Sequence, residues 1–490
     1  MLVGKSHISW HKNSIVTNRF EQAVRSRVSN AVVNSAIRCY SVGLEWQLME
    51  SGSRGRLRHQ VDEWKTMRVL LLSEQCNPDM ASTPYFAYQI VNAVARHVDR
   101  AVLVTQVRNQ SVLTRVGVSG AEVNFVDTEY VAAPLNKLSK AIRGGRNKGM
   151  TLNVALMYPA YLAFERGVWK RYASQLKAGD FDVVHRVTPL SPTLPSPIAK
   201  KCPVPFVIGP VNGGLRWPKA FASELRRERE WMTHLRRLHH FMPYYRSTYK
   251  NAAGILAGFQ HTIDDLPAEC RPRCFSCSDV GFDDESFPKV MRRPVREQMT
   301  VLYAGRLVPY KCADIVVRAF AASETLRQHR LVMVGDGPDR ERVESLIREH
   351  NLQDCIEMLG WVDHAEVTRR MSEADVFAFP SIRELGAGVV VEAMGAGMVP
   401  VVVDYGGPAE YIDADQTRGI KVPLSDKAGV TASFVDALES LASSPQRRSD
   451  MGVAAFEYVK ANHSWDMKAR RIVEVYEYLL GKRADRPTFH

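Results

Sequence analysis

The sequence has no apolar run long enough to cross a membrane as a helix. Such a helix needs about 18 or more consecutive apolar residues, and no segment of the 490 residues reaches that length. The first thirty residues also lack the continuous apolar core of a secretory signal. We therefore expect a soluble or peripheral protein. The eight cysteines are mostly scattered, which is typical of reduced thiols in a cytoplasm.

The sequence also lacks a convincing set of metal ligands. Cys270, Cys274 and Cys277 have the spacing of an iron–sulfur site, but they lie just before an expected linker, and His261 is the only nearby fourth ligand for zinc. We interpret this spacing as coincidence. A second pair, Asp413-Ala-Asp415, precedes a short strand, where turns favour aspartate for local backbone hydrogen bonds. We expect no bound metal.

Positive charge is concentrated in the first half of the chain. Residues 67–294 carry 31 Lys and Arg against 19 Asp and Glu, giving +12, while residues 1–66 carry +5 and residues 295–490 carry −5. This asymmetry indicates an anionic partner for the basic half, most simply a membrane surface or a charged acceptor. The densest stretch, residues 224–242, mixes arginine with Leu, Trp and Phe. It is either a solvated amphipathic helix or a segment that contacts a membrane.

The rhythm of apolar segments predicts two α/β domains. Residues 1–66 show no clear period, so we predict a disordered basic extension there. Strands and helices then alternate, which implies parallel sheets with helical crossovers. Predicted elements of the first domain are strands 67–73, 101–105, 181–185 and 205–208 and a helix at 85–97. Those of the second are strands 300–304, 331–334, 356–359, 374–379, 399–403 and 419–422. A polar, turn-rich linker at residues 280–288 separates them, and a cleft is expected between them.

The most informative motif pairs two carboxylates across a glycine-rich turn. Glu384 and Glu392 are eight positions apart, and a helix is predicted to begin near Gly388 after the strand that ends at Phe379. A helix N-terminus beside small residues presents free N–H groups that suit a phosphate. Glu392, one turn into the helix, can reach a hydroxyl group. Phosphate together with a polyol indicates a nucleotide sugar.

Other polar groups follow the neighbouring strands, at the sheet edge where ligands of such folds bind. Arg306 and Lys311 follow the first strand of the second domain and can supply two fixed positive charges to a diphosphate. A tight turn at Gly335 lets the backbone approach a flat base. Val362, after Gly360, can offer backbone hydrogen bonds to the edge of the base. Plain connections between elements are the alternative for these last two segments.

The second half of the chain resembles the retaining family 4 glycosyltransferases in the order and spacing of its motifs. These motifs are Gly305-Arg306 with Lys311, Val334-Gly-Asp-Gly-Pro338, Gly360-Trp-Val362, Glu384 with Glu392-Ala-Met, and Gly406-Gly407. The family has the GT-B fold of two facing, doubly wound Rossmann-like domains with a cleft between them. The resemblance covers about residues 67–481 and is most specific over 300–425. It implies an acceptor-side domain at 67–288, a donor-binding domain at 295–465 and a helix at 466–490 that crosses back to the first domain.

The resemblance also implies roles for residues of the second domain. Arg306 and Lys311 correspond to the pair that binds the donor diphosphate, and Glu392 to the glutamate that holds the ribose hydroxyls. Glu384 corresponds to the glutamate at the donor sugar. The loop whose backbone amides meet sugar and phosphate is represented by Leu385, Gly386 and Ala387. The position of Leu385 often carries an aromatic residue in the family.

The first domain matches the family more loosely. His185 corresponds to the histidine near the transferred sugar, and Asn212, Gly213 and Gly214 lie in a loop expected to face the cleft. Taken with the second domain, this gives Glu384, His185, Lys311 and Arg306 as candidate catalytic residues. One departure is the loop at residues 74–84, which lacks the paired glycine that usually approaches the diphosphate.

The sequence therefore predicts a metal-independent, retaining glycosyltransferase without a cofactor. Its donor would be a nucleoside-diphosphate sugar and its acceptor a glycan or lipid-linked hydroxyl, in polysaccharide or lipid-linked glycan synthesis. We expect a cytoplasmic location, peripheral to the inner face of the plasma membrane, and no nucleic-acid partner. Two alternatives are an epimerase or hydrolase acting on nucleotide sugars with the same fold, and a non-catalytic protein that binds anions or membranes.

Overall fold

The structure is a computed structural model, and the chain from residue 67 onward forms one compact unit within it. The residues that it describes are 67–80, 82–142, 150–228, 239–283 and 295–488, with side chains omitted at 140–142 and 150–156. The extension predicted to be disordered, residues 1–66, lies outside the described residues. So does half of the arginine-rich stretch at 224–242.

The first sheet has seven parallel strands in the order β3-β2-β1-β4-β5-β6-β7. The strands are β1 Arg68–Leu72, β2 Arg100–Gln106, β3 Ala121–Val126, β4 Val183–Arg186, β5 Phe206–Val211, β6 Gly254–Ala257 and β7 Cys274–Ser276. All four strands predicted for this domain are present. Strands β3, β6 and β7 were not predicted from the sequence.

The second sheet has six parallel strands in the order β10-β9-β8-β11-β12-β13. The strands are β8 Thr300–Ala304, β9 Arg330–Val334, β10 Ile356–Gly360, β11 Val376–Phe379, β12 Val399–Val403 and β13 Ile420–Val422. Every one of them coincides with a predicted strand. The two parallel sheets confirm the predicted doubly wound α/β architecture.

Helices connect the strands and cover the sheets. In the described residues they are α1 Thr83–Ala95, α2 Gln110–Val116, α3 Glu129–Ile142, α4 Met150–Ala178, α5 Ala222–Glu228, α6 Tyr245–Asn251, α7 Gln260–Asp265, α8 Ala313–Ala322, α9 Glu324–Arg327, α10 Arg340–Glu349, α11 His364–Glu373, α12 Gly388–Gly395, α13 Gly407–Glu410, α14 Lys427–Ala442, α15 Pro445–His463 and α16 Trp465–Leu479. None of the helices in this part of the chain has the length and apolarity needed to span a membrane.

The central strands are apolar along their whole length because helices cover both faces of each sheet. In β12, all five residues from Val399 to Val403 are buried. In β1, the run from Val69 to Leu72 is buried, and only Arg68 at its start is partly exposed. Strands of this kind contribute apolar surface on both sides, and each buried valine or leucine side chain is worth about 1.5–3 kcal/mol.

Two segments cross from one domain to the other. The last helix, α16, returns to the first domain, where Trp465, Ile472 and Tyr476 are buried against β1 and α1. A segment after β5 crosses in the opposite direction. Its Phe221 has no exposed surface and is part of the core around β8 and α8. The segment at residues 215–228 thus belongs by packing to the second domain, although it lies within the range predicted for the first.

Candidate active site

Three predicted donor loops meet at the carboxyl ends of β8, β9 and β10. The Gly335 N–H donates to the Gly360 carbonyl at 2.8 Å, and the Gly305 N–H donates to the Val334 carbonyl at 3.0 Å. Gly335 has a φ of +133°, and a Cβ there would overlap the Gly305 carbonyl oxygen. Only glycine permits both this conformation and this approach. The loops after the three strands are therefore held together through their backbones.

Lys311 and Glu384, two predicted catalytic residues from different loops, form an ion pair. Lys311 Nζ lies 2.8 Å from Glu384 Oε1, and the two side chains are 12% and 15% exposed. The ammonium group also lies 4.8 Å from the centroid of the Phe379 ring, at the end of β11. Partial burial strengthens such charge contacts relative to water. The pair places one fixed cation beside the loop that precedes α12.

Arg306 reaches the same loop through Tyr310. Its guanidinium donates to the Tyr310 hydroxyl at 2.9 Å, while the Tyr310 carbonyl accepts from the Ile382 N–H at 3.0 Å. Burial raises the pKa of Tyr310 to about 12, with a further rise from the Glu384 charge and an opposing effect from Arg306. The phenol therefore stays neutral and available as an acceptor at neutral pH. Tyr310 was not singled out from the sequence.

Helix α12 begins at the predicted position, Gly388, with its N-terminus toward the first domain. Ala387 caps it in a left-handed conformation with a φ of +52°, without a side-chain hydrogen bond to the helix. The carbonyl of Gly386 accepts from the Tyr411 hydroxyl at 2.6 Å. A Cβ on Gly388 would lie 3.5 Å from the Phe86 ring of α1. An uncapped helix N-terminus of this kind favours an anion.

Glu392 lies one turn into α12 and is partly buried. Burial raises the pKa of its carboxyl group, and the nearby His364 opposes that rise. Val362 is also partly buried at the carboxyl end of β10, next to Trp361, whose side chain is largely exposed. The contacts of Glu392 with the ribose and of Val362 with the base stay predictions.

On the first-domain side, Asn212 approaches the donor loop directly. A Cβ on Gly386 would lie 3.3 Å from both Asn212 Nδ2 and Asp279 Oδ1. Asn212 donates to that Asp279 oxygen at 2.8 Å. Burial raises the pKa of Asp279, and the hydrogen bond from Asn212 opposes that rise. Asp279 was not among the predicted site residues, because only the tertiary structure brings it to this loop.

The two glycines beside Asn212 pack within the first domain. The Gly213 N–H donates to Thr262 Oγ1 at 3.2 Å, and a Cβ on Gly213 would meet Pro192 at 2.7 Å. Gly214 has a φ of +81° and lies against Asp265. Close packing against α7 and the loop after β4 therefore explains why both positions require glycine. A direct contact between either glycine and a donor or acceptor stays a prediction.

The loop after β1 reaches the start of α1 without glycine. Ser82, the residue before α1, has a φ of +67°, a conformation that favours glycine. Phe86, in the first turns of α1, then approaches the beginning of α12. The loop therefore holds a glycine-like backbone conformation at a serine, and the helix that follows it lies beside the start of α12.

The structure places His185, a predicted catalytic residue, in the core of the first domain. The residue has no exposed surface. One ring nitrogen, Nε2, donates to the Gly209 carbonyl at 2.7 Å, and the other, Nδ1, accepts from the Tyr476 hydroxyl at 2.5 Å. Burial lowers the pKa of His185 to about 4. His185 is a neutral core residue that joins β4, β5 and α16, and both of its ring nitrogens are hydrogen-bonded within the protein.

This burial predicts a pH-dependent contribution to stability. The folded pKa of about 4 lies below the 6.5 of an exposed histidine, so the unfolded chain binds a proton first as the pH falls. The contribution of the neutral ring is complete above pH 6.5 and is lost as the pH falls toward 4. Between pH 7 and pH 5 the loss is about 2 kcal/mol. Urea unfolding measures the free energy of unfolding at both pH values. Between pH 7 and pH 5, this free energy should fall by about 2 kcal/mol less in His185→Gln than in the wild type. An equal fall in both proteins would contradict the assignment.

The other motifs weighed as metal sites have local roles in the structure. Asp413 accepts hydrogen bonds from the N–H and the hydroxyl of Thr417, at 3.1 and 2.8 Å, within a turn. Cys270, Cys274 and Cys277 are buried free thiols. In the described part of the chain, no three His, Cys, Asp or Glu side chains converge in a way that could hold a metal ion.

The part of the chain that builds the donor loops matches a known family. Residues 289–458 fit the family model described as Glycosyl transferases group 1. The matched residues include all six strands of the second sheet. The gpi3 subunit of phosphatidylinositol N-acetylglucosaminyltransferase from Schizosaccharomyces pombe is 28% identical over 220 residues, which are 44% of this chain and 46% of that protein. Glycogen synthase of Mycobacterium tuberculosis is 30% identical over 210 residues, 42% of this chain and 48% of that protein.

Both matches span less than half the length of the curated relative. Solved structures extend the similarity of fold to both domains. Sucrose-phosphate synthase from Thermosynechococcus elongatus aligns with a TM-score of 0.60 at 18% identity, over 85% of this chain and 100% of that one. Anabaena HepE in complex with UDP aligns with a TM-score of 0.54 at 15% identity, over 84% and 100%. This similarity confirms the predicted GT-B fold of two doubly wound domains.

Proposed function

We propose that this protein transfers a sugar from a nucleoside-diphosphate sugar to a hydroxyl acceptor, with retention of the anomeric configuration. The observation that carries the proposal is the Lys311–Glu384 ion pair next to the N-terminus of α12. It joins a fixed cation, a carboxylate and free helix amides at one point of the cleft. Phosphate oxygens suit the cation and the amides, and sugar hydroxyls suit the carboxylate.

In this mechanism the protein stabilises the leaving group. Negative charge grows on the diphosphate as the glycosidic bond breaks, and Lys311, Arg306 and the amides after Gly386 are arranged to bind it. No metal or cofactor is required for this role. The described cleft shows no side-chain nucleophile paired with a base, and His185 is buried. We therefore infer front-face attack by the acceptor hydroxyl, whose proton passes to the departing phosphate oxygen.

The donor can be identified by ligand-induced stabilisation. Thermal unfolding in the presence of a panel of nucleoside-diphosphate sugars should show a rise in melting temperature for the true donor, because a ligand that binds the native state stabilises it. That donor, labelled in its sugar, is then incubated with and without glycan and lipid-linked acceptors. Labelled product is expected only with acceptor. Donor turnover that yields no glycosylated product would contradict the transferase and favour an epimerase or hydrolase.

We further propose peripheral attachment to an anionic membrane, on the cytoplasmic face. Residues 67–294 carry a net charge of +12, and α3 of the first domain exposes Tyr130 and Leu138, at 74% and 48%. Exposed apolar side chains on a basic domain are typical of surfaces that bind membranes. A membrane-bound acceptor would then lie close to the acceptor-side domain.

Sedimentation with vesicles tests this attachment. The protein should pellet with vesicles that contain anionic lipid at low salt and be released at high salt, because salt screens surface charge. Vesicles of neutral lipid are the control. The double variant Tyr130→Ser and Leu138→Ser should reduce the pelleted fraction severalfold. Equal recovery with neutral and anionic vesicles would contradict the electrostatic part, and unchanged pelleting of the double variant would contradict the role of α3.

A further inference from the structure

The segment that crosses from β5 to the second domain contacts the donor loops themselves. The Tyr405 hydroxyl donates to the Arg216 carbonyl at 2.7 Å. Leu215 lies against Gly406, where a Cβ would come within 2.8 Å of Leu215 Cδ2. Further along, Lys427 Nζ lies 2.7 Å from Glu224 Oε1, whose side chain is 6% exposed. The segment at residues 215–228 is thus fixed to the second domain at both ends.

Between these anchors, Trp217 touches both loops that carry donor-binding residues. Its ring meets the ring of Tyr310 edge-on, with centroids 6.4 Å apart and an interplanar angle of 87°. The guanidinium carbon of Arg383 lies 5.2 Å from the centroid of the Trp217 ring. Tyr310 follows β8, and Arg383 follows β11 directly before Glu384. One indole therefore packs against the two loops that supply Arg306, Lys311 and Glu384.

We propose that Trp217 is a positioning residue of the donor site, which the first domain supplies to the second. The indole holds Tyr310, and the Tyr310 hydroxyl holds the Arg306 guanidinium at 2.9 Å. The backbone carbonyl of Tyr310 also accepts hydrogen bonds from the Ile382 N–H and the Ser381 hydroxyl, at 3.0 and 3.3 Å. The ring thus sets the orientation of Arg306 and the spacing between the two loops. This inference rests on the proposed binding of a donor diphosphate by Arg306.

A structural role alone would not couple Trp217 to Arg306. Groups in one network show non-additive effects when both are changed, whereas independent sites contribute additively to the free energy. If Trp217 orients Arg306, the loss of the indole removes most of the contribution of Arg306 beforehand. Replacing Arg306 in a variant that already lacks the indole then reduces nucleotide affinity only slightly. If Trp217 only stabilises the fold, the two changes multiply in their effects on affinity.

The experiment is a double-mutant cycle on nucleotide affinity with the full chain. Calorimetric titration with UDP, GDP and ADP identifies the nucleotide that the wild type binds, and that nucleotide serves as the probe. Trp217→Ala and Arg306→Ala should each weaken its affinity about tenfold, and the double variant should be within about threefold of either one. Trp217→Phe keeps a ring against Tyr310 and should retain affinity within about threefold. Lys219→Ala, an exposed position of the same segment, is the matched control and should bind as the wild type does.

Tyr310→Phe gives an independent cycle if Trp217→Ala does not fold. It removes only the hydroxyl that accepts from Arg306. In the Tyr310→Phe background, Arg306→Ala should therefore cause little further loss of nucleotide affinity. Multiplied effects in the Trp217 cycle, or in the Tyr310 cycle where Trp217→Ala does not fold, would overturn the inference while leaving nucleotide binding in place. A wild type that binds none of the three nucleotides would overturn the proposed function, and this inference with it.

Discussion

Lys311→Ala is expected to lower the turnover number at least ~100-fold. In the proposed mechanism Lys311 supplies a preorganised charge to the leaving group, and loss of one such contact typically costs about 2.7–4 kcal/mol of transition-state stabilisation. The structure adds a second reason. Lys311 neutralises Glu384 at 2.8 Å, and both side chains are mostly buried. Without the ammonium group, the carboxylate loses this ion-pair partner beside the proposed diphosphate site and would repel the diphosphate.

Initial rates at saturating donor measure this effect, with thermal unfolding to show that the variant is folded. Lys460→Ala is the matched control, because Lys460 is an exposed lysine of the same domain on α15. It should keep the wild-type rate. Glu384→Gln tests the pairing from the other side, since it keeps the size of the side chain and removes the charge. A Lys311→Ala rate within tenfold of the wild type would contradict the role of this residue in the reaction.

The second large effect is expected at Gly335, on stability and donor binding together. An alanine there would have to adopt a φ of +133°, and its Cβ would overlap the Gly305 carbonyl oxygen. That oxygen belongs to the backbone and cannot swing aside as a side chain would. Gly305 is itself held to Val334, and Gly335 to Gly360. Gly335→Ala should therefore displace three loops and cost about 3 kcal/mol or more.

Gly179→Ala distinguishes the energetic penalty of the clash from the penalty of the backbone conformation. Gly179 also has a positive φ, +79°, but an added Cβ would meet nothing within 4 Å. Its replacement should cost only about 1–2 kcal/mol, the cost of a left-handed conformation for an alanine. Urea unfolding measures both variants, and nucleotide titration shows whether the donor loops survive. Equal destabilisation of the two variants would show that the contact with Gly305 carries no penalty.

The sequence was sufficient for most of the sheet architecture, because buried parallel strands are continuous apolar runs. Strands β8 and β12 begin and end at the predicted residues. The three missed strands lack that signal. β3 is an edge strand that is mostly half exposed, and β6 and β7 have only four and three residues. Runs this short give only a weak apolar signal, although β13, which also has three residues, was predicted.

The meeting of the loops after β8, β9 and β10 was predictable, because parallel strands end at a common edge. The contacts across the cleft were not. Asp279 and Trp217 reach the site through packing between segments far apart in the chain, for which a single sequence carries no signal. The burial of His185 was not predictable for a related reason. A histidine at the end of a strand can face a cleft or the core, and in β4 every residue is buried.

The two crossing segments decide how the chain can be divided and recombined. A donor-domain fragment cut at residue 295 would lack Phe221, which fills part of its own core, and an acceptor-side fragment ending at 288 would lose the cover that α16 gives it. Hybrid enzymes built from this chain must therefore transplant residues 215–228 together with the donor half, and keep α16 with the acceptor half. A junction chosen from the linker alone would expose hydrophobic surface on both products.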